Sequence, residues 1–109
     1  MQRPSEIEPR ELELRLQKGE PTYLIDVRQP WEHELVKLPD SLLAPLDRLS
    51  SLGPTIKPPE GALVVCYCHH GVRSLHAAAM LSAAGLPAVS LAGGIDRWAT
   101  EIDPSLAHY

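Results

Sequence analysis

Residues 62–67 are a continuous apolar run, and this run constrains the fold of the chain more than any other segment. A short run without polar alternation is typical of a strand buried on both faces in a parallel sheet. A helical pattern follows over residues 71–84, which are rich in alanine, and it ends at Gly85 and Pro87. A buried strand that leads directly into a helix predicts an α/β fold.

The same alternation recurs along the rest of the chain. Strands are predicted over residues 22–27, 41–44 and 88–91, and helices over residues 9–18, 30–35, 45–52 and 95–102. Pro9 suits the first turn of its helix, and Gly19 suits the end of it. Strands that alternate with helices indicate a parallel sheet covered on both faces.

Length and charge limit the classes of protein to consider. The chain has 109 residues, which fits a single domain over residues 1–109. Its net charge of -4 argues against nucleic acid and anionic membranes as partners. No window approaches the roughly 20 apolar residues of a membrane span. Residues 1–13 alternate charge and proline, unlike a signal peptide, and Met1 indicates a complete small chain.

Two cysteines, Cys66 and Cys68, are too few for a disulfide scaffold. Their spacing along a strand puts the two Cα atoms near the upper limit for a disulfide bridge. Reduced thiols and a cytoplasmic location are therefore expected.

Polar or glycine-rich residues follow three of the predicted strands, at the edge where ligands bind in open α/β sheets. They are residues 26–28, 68–73 and 92–94. In the second group, Cys68 lies between a buried strand and the start of a helix. The unpaired N–H groups and positive dipole of a helix start favour a thiolate. Gly71 allows the loop to turn its amides inward, and Arg73 is placed to face an anion.

Three segments resemble the rhodanese family of sulfurtransferases. Residues 68–78 (CHHGVRSLHAA) are similar to its active-site loop and helix, residues 24–32 (LIDVRQPWE) to its first diagnostic stretch, and residues 91–98 (LAGGIDRW) to its last. The matches run in the family order from about residue 7 to residue 98. Residues 36–41 (VKLPDS) depart from the family's usual GHIPGA stretch, which puts the local turn and a partner surface there in question.

The resemblance implies a three-layer α/β/α fold with a mostly parallel sheet of about five strands. It also implies that Cys68 accepts a sulfane sulfur from thiosulfate or a persulfide, and passes it to cyanide, a thiol or a partner protein. No cofactor is expected, and a monomer is favoured. The substrate-binding residues would be His69, His70, Gly71, Val72 and Arg73.

Two other functions stay open. A non-catalytic docking or relay module would keep the fold for partner binding. A phosphatase or arsenate reductase would use a Cys-x5-Arg loop, but only four residues separate Cys68 from Arg73. The shorter loop suits one sulfur atom better than a tetrahedral oxyanion.

The neighbouring residues carry simpler interpretations. Cys66 is predicted to be a core residue, with a resolving thiol as the alternative. His69 and His70 either line the pocket or are solvated, and the spacing of the Cys and His residues does not match a zinc site. Asp26 and Arg28 are expected to form an ion pair that supports the active-site region. Three further predictions complete the set: Trp31 and Trp98 are packing residues, Gly93 and Gly94 form a tight turn, and residues 103–109 pack back or extend.

Overall fold

The computed structural model describes residues 5–109, and in this part of the chain strands and helices alternate. The strands are β1 (Glu6–Ile7), β2 (Thr22–Asp26), β3 (Leu42–Leu43), β4 (Leu63–Tyr67) and β5 (Ala88–Leu91). The helices are α1 (Pro9–Gln17), α2 (Pro30–Leu35), α3 (Leu49–Leu52), α4 (Val72–Ala83) and α5 (Gly94–Glu101). Short 3-10 turns at Leu46–Arg48 and Gly53–Thr55 flank α3.

The sheet has the strand order β1-β5-β4-β2-β3, and all of its pairings are parallel. This confirms the α/β fold with a parallel sheet of five strands. Strand β3 is added on one side of β2, whereas β4 and then β5 are added on its other side. The direction in which successive strands are added therefore reverses between β2 and β4. Asp26 pairs in register with Tyr67 at this point. The carboxyl ends of β2 and β4 therefore lie side by side, where ligand sites form in such sheets.

Two hydrophobic clusters cover the two faces of the sheet. Val64 and Cys66 of β4 belong to the first cluster with residues of α3 and α4, including Leu49, Ala77 and Leu81. Val65 and Tyr67 belong to the second cluster with residues of α1 and α5, including Leu12, Ile95 and Trp98. Side chains alternate between faces along a strand, so an uninterrupted apolar run supplies apolar side chains to both clusters.

Strand β1 is an element that the sequence did not predict. It pairs with β5 through two residues, and the flanking hydrogen bonds run from Ser90 N to Ser5 O (2.9 Å) and from Ala92 N to Ile7 O (3.0 Å). Two residues are too short to show a hydrophobic alternation. The edge strand forms because β5 has free backbone groups on that side.

Two other predicted elements are shorter than expected. The strand over residues 41–44 is reduced to the two residues of β3. The helix over residues 45–52 is divided into a 3-10 turn and α3. Pro45 and the Gly53-Pro54 pair bound this segment so tightly that it holds no regular helix longer than one turn.

The stretch 36–41, which departs from the family pattern, forms a turn. Asp40 adopts a left-handed conformation with φ of 59°, which an aspartate tolerates better than most residues. Val36 and Leu38 are buried in the second cluster, and Lys37 is exposed. A partner surface on residues 36–41 would therefore consist of the exposed Lys37, Pro39 and Asp40, because Val36 and Leu38 are buried in the core.

None of the helices in residues 5–109 combines the length and the apolar composition that crossing a bilayer requires.

Candidate active site

Cys68 lies in the loop between β4 and α4, directly after the strand, and it is 1% exposed. Its sulfur accepts hydrogen bonds from two backbone N–H groups, those of Gly71 (3.0 Å) and Ser74 (3.4 Å). The hydroxyl of Ser74 is also 3.4 Å from the sulfur. Donors that converge on one sulfur atom stabilise negative charge there. The Gly71 amide thus points to the sulfur, as the position of Gly71 predicted, whereas the second backbone donor, Ser74, belongs to the first turn of α4.

Glycine makes this loop conformation possible at Gly71. The residue has φ of 102°, and a Cβ there would lie 3.2 Å from Gly93 N and 3.6 Å from Leu91 O. Side chains rarely adopt such an angle. The loop can therefore pass close to the turn that follows β5 and still present its N–H group to the sulfur.

The start of α5 holds the other side of the loop. Ile95 N donates to Cys68 O (2.8 Å), and Asp96 N donates to His69 O (3.1 Å). Gly94 has φ of 64°, and a Cβ on it would collide with the backbone of Cys68 and His69. This confirms the tight turn predicted at Gly93 and Gly94. It also shows that the turn supports the active-site backbone directly.

Ser74 and Ser90 are two buried serines behind the sulfur. Their hydroxyl oxygens are 2.7 Å apart, and both residues are 0% exposed. Ser74 belongs to the segment that resembles the family loop, but its contact with sulfur was not predicted. Ser90 carries no sequence signal, because only the β4–β5 pairing brings it near α4.

Arg73 is bound to a carboxylate. Its Nη1 and Nη2 atoms donate to Glu32 Oε1 and Oε2 at 2.7 and 3.0 Å. The sequence predicted that Arg73 faces an anion, but it did not indicate Glu32 as that anion. Glu32 lies in α2 and is 3% exposed. The anion that Arg73 faces in the structure is thus a side chain of the protein itself.

Burial opposes the ionisation of Glu32, but hydrogen bonds from Arg73, Gln29 N and Tyr109 together outweigh it. They lower the pKa of Glu32 from 4.5 to about 2. The same pairing with Glu32 raises the pKa of Arg73. The two side chains therefore form a charged pair at neutral pH.

Asp26 and Arg28 form the predicted ion pair at the end of β2, and both residues are fully buried. The Arg28 Nε and Nη2 atoms donate to the two Asp26 carboxylate oxygens at 2.8 and 2.7 Å. His33 Nδ1 (2.8 Å) and the Tyr67 hydroxyl (3.2 Å) also contact Asp26 Oδ2. The pair joins β2, α2 and β4 into one network beside the loop.

The family model described as Rhodanese-like domain matches residues 8–101. The chain belongs to the rhodanese-like family. It is 36% identical over 108 residues to a protein named Sulfurtransferase from Allochromatium vinosum, covering 94% of this chain and 95% of that one.

Other relatives are larger. The chain is 40% identical over 106 residues to the probable adenylyltransferase/sulfurtransferase MoeZ of Mycobacterium tuberculosis, covering 96% of this chain but 27% of MoeZ. It therefore spans about a quarter of that relative's length. Among solved structures, a rhodanese-related protein from Thermoplasma volcanium matches with a TM-score of 0.82 and 26% identity, covering 96% of this chain and 99% of that one.

In this rhodanese-like domain, His69 and His70 occupy different environments. The two imidazole rings stack at 3.9 Å between centroids. His69 also stacks on Tyr109, at 3.9 Å and an interplanar angle of 9°. Burial, followed by the charge of His70, lowers the pKa of His69. The side chain of His70 is 64% exposed. His69 is thus packed into the site, whereas His70 faces solvent.

Val72 begins α4 and is exposed, so its contribution to the loop is backbone conformation.

Cys66 is a core residue, as predicted: it is 0% exposed, and both cysteines are free thiols. Burial first, and then the nearby Cys68, raises the pKa of Cys66 to about 12. Cys66 is therefore a neutral thiol in the folded domain.

The two tryptophans differ from each other. Trp98 is buried in the second cluster, as predicted. The packing prediction for Trp31 is wrong, since Trp31 is 62% exposed and meets Tyr109 edge to face at 5.8 Å. Its position at the start of α2 points the ring away from both clusters.

Within residues 5–109, no group of three or more His, Cys, Asp or Glu side chains is arranged to hold a metal ion.

Proposed function

We propose that this rhodanese-like domain is a sulfurtransferase that carries the transferred sulfur on Cys68. The observation that supports this most directly is the convergence of the Gly71 and Ser74 N–H groups on the Cys68 sulfur. These donors stabilise a thiolate before the reaction and a charged persulfide after it. Because they are backbone groups of a fixed turn, they need no reorganisation during the reaction.

The first step is nucleophilic attack by the Cys68 thiolate on the outer sulfur of the donor. With thiosulfate, the donor S–S bond breaks, sulfite leaves with the electron pair, and Cys68 becomes a persulfide. With an organic persulfide, a thiolate leaves instead. His69, His70, Gly71, Val72 and Arg73 form the loop that binds the donor, and Asp26 and Arg28 support it.

The second step returns the enzyme to its resting state. Cyanide, a thiol or a partner protein attacks the outer sulfur of the Cys68 persulfide. The S–S bond breaks, and its electron pair returns to Cys68 as a thiolate. Thiocyanate or a new persulfide is the product. Because the electrons balance over the two steps, the reaction requires no redox cofactor.

The structure favours sulfur over phosphate as the transferred group. Only four residues separate Cys68 from Arg73, so the loop is one residue shorter than the Cys-x5-Arg loop of a phosphatase. The Gly71 and Ser74 N–H groups converge on the single Cys68 sulfur. A docking module without chemistry would need neither a thiol at the end of β4 nor N–H groups aimed at it. Turnover distinguishes these alternatives.

The test is the intact mass of the reduced protein after incubation with thiosulfate or with cysteine persulfide. We expect the wild type and the matched control Cys66→Ala to gain one sulfur that cyanide removes. Cys68→Ser should gain none and should keep its fold, because the residue lies in a loop. Sulfur gain by Cys68→Ser would overturn the assignment of the nucleophile. If the wild type gains none from either donor, the docking alternative is favoured.

A further inference from the structure

The C-terminal segment, residues 103–109, packs back on the domain. Asp103 N donates to Trp98 O (3.0 Å), and Leu106 N donates to Asp103 O (3.1 Å). Leu106 and Tyr109 are partly buried against the second cluster. His108 lies 2.9 Å from Asp96 of α5. The segment therefore follows a defined path from the end of α5 to the carboxyl edge of the sheet.

This path brings the hydroxyl of Tyr109 between the two ion pairs of the site. The hydroxyl donates to Glu32 Oε2 (2.6 Å) and accepts from Arg28 Nη1 (2.8 Å). Burial, followed by the hydrogen bond to Glu32, raises the pKa of Tyr109 to about 12. The phenol thus stays protonated at neutral pH and remains a donor to the Glu32 carboxylate, which in turn holds Arg73.

The ring of Tyr109 contacts the residue next to the nucleophile. It lies parallel to the His69 imidazole at 3.9 Å, and it forms an edge-to-face pair with Trp31. His69 directly follows Cys68, and its carbonyl is fixed on the other side by Asp96 N. One side chain from the end of the chain therefore reaches both ends of the loop, His69 by its ring and Arg73 through Glu32.

We propose that Tyr109 is a positioning residue for sulfur transfer: it keeps the Cys68 loop in the conformation that aims its N–H groups at the sulfur. This inference rests on the proposed function. Tyr109 acts through His69 and Glu32 rather than on the reacting sulfur. Its loss therefore affects the geometry of attack more than the binding of the donor.

The experiment compares Tyr109→Ala, Tyr109→Phe and Tyr23→Ala by the rate of Cys68 persulfide formation over a range of donor concentrations. Tyr23 is the matched control, since it is also a partly buried tyrosine but packs on the first cluster. We expect Tyr109→Ala to lower kcat about tenfold with little change in donor KM. Tyr109→Phe keeps the ring but removes the hydroxyl with its hydrogen bonds to Glu32 and Arg28, and it should lose about threefold. Tyr23→Ala should keep the wild-type rate.

A second readout follows the titration of His69 by NMR. Tyr109→Ala uncovers the imidazole, so the His69 pKa should rise toward its ordinary value of 6.5. Tyr109→Phe preserves the stack and should restore the wild-type titration. A purely structural role would not produce this pattern. If Tyr109→Ala does not fold, Tyr109→Leu lacks both the aromatic face and the hydroxyl, and the same results are expected of it.

Two results would overturn the inference: a folded Tyr109→Ala with the wild-type kcat and His69 titration, or a Tyr23→Ala variant that loses as much activity. Failure of the proposed function looks different, because the wild type itself would then gain no sulfur. In that case the NMR titration still reports whether Tyr109 holds His69.

Discussion

At the scale of single residues, two thiols two positions apart differ in what surrounds their sulfur atoms. The Cys68 sulfur accepts hydrogen bonds from two backbone N–H groups. The Cys66 sulfur lies inside the first cluster, where burial keeps the pKa high. Their side chains are on the same face of β4, so strand direction does not separate them. The difference arises because Cys68 stands one residue beyond the strand, where the backbone turns.

Replacement of Cys66 tests this difference. Cys66→Ala should lower the free energy of unfolding by on the order of 1 kcal/mol, because it leaves a small cavity in the core. Sulfur gain at Cys68 should persist, since a neutral buried thiol takes no part in it. Urea denaturation measures the first quantity and intact mass the second. Loss of sulfur gain in a folded Cys66→Ala protein would instead identify Cys66 as a resolving thiol.

At the scale of elements, the start of α5 serves as a support for the active-site loop. Two N–H groups at the start of α5 donate to the carbonyls of Cys68 and His69. The loop carbonyls thus supply acceptors for N–H groups that a helix start leaves without partners. This close approach requires that the second residue of the turn have no side chain. The glycine pair after β5 is therefore part of the site, although neither glycine contacts the sulfur.

Gly94→Ala should displace the loop as well as strain the turn. A Cβ at this position collides with the backbone of Cys68 and His69, and backbone cannot move aside cheaply. Gly19→Ala is the matched control, because Gly19 has a similar φ of 70° but nothing within 4 Å of its Cβ position. We expect both variants to lose stability by about 1 kcal/mol or more from the left-handed angle. Only Gly94→Ala should also lose sulfur gain, as measured by intact mass.

The positions of strands and helices around this site were predictable from the sequence, whereas several side chains of the site were not. Helix α2 and strand β5 have the predicted bounds, because proline and apolar runs mark them locally. Glu32, Ser90 and Tyr109 were missed as members of the site. Each acts through a contact with a residue 16 or more positions away, and no local pattern encodes such a contact.

At the scale of the whole molecule, buried charges connect elements that are distant in the chain. Glu32 joins α2 to α4 and to the C-terminal segment. Asp26 and Arg28 join β2 to α2, β4 and Tyr109. In the described part of the chain, every buried side-chain nitrogen or oxygen has a hydrogen-bond partner. Folding therefore brings these charges together with their partners, which offsets the loss of hydration.

This network predicts a specific sensitivity to acid. The pKa of Glu32 is about 2 in the folded protein and 4.5 as a reference for the unfolded chain. The carboxylate therefore contributes stability that is fully present above about pH 4.5 and is lost as the pH falls toward about 2. Glu32→Gln should be less stable than the wild type at neutral pH by about 1–3 kcal/mol, and the difference should shrink over this acid range.

Urea denaturation at a series of pH values measures that difference. Glu34→Gln is the control, because it removes an exposed carboxylate of the same helix and should keep the wild-type response to acid. A gap between wild type and Glu32→Gln that stays constant down to about pH 2 would contradict the pairing.

The sequence by itself determined the alternation of strands and helices, the parallel sheet, and the place of a thiol at the end of β4 with a glycine three residues later. Local hydrophobic patterns and backbone preferences specify these features, and they act over a few residues. Only the tertiary structure decided that Arg73 is paired with Glu32, that Ser90 stands behind the sulfur, and that Tyr109 packs on His69. These contacts depend on strand order and on the path of the C-terminal segment, which packing of the whole chain selects.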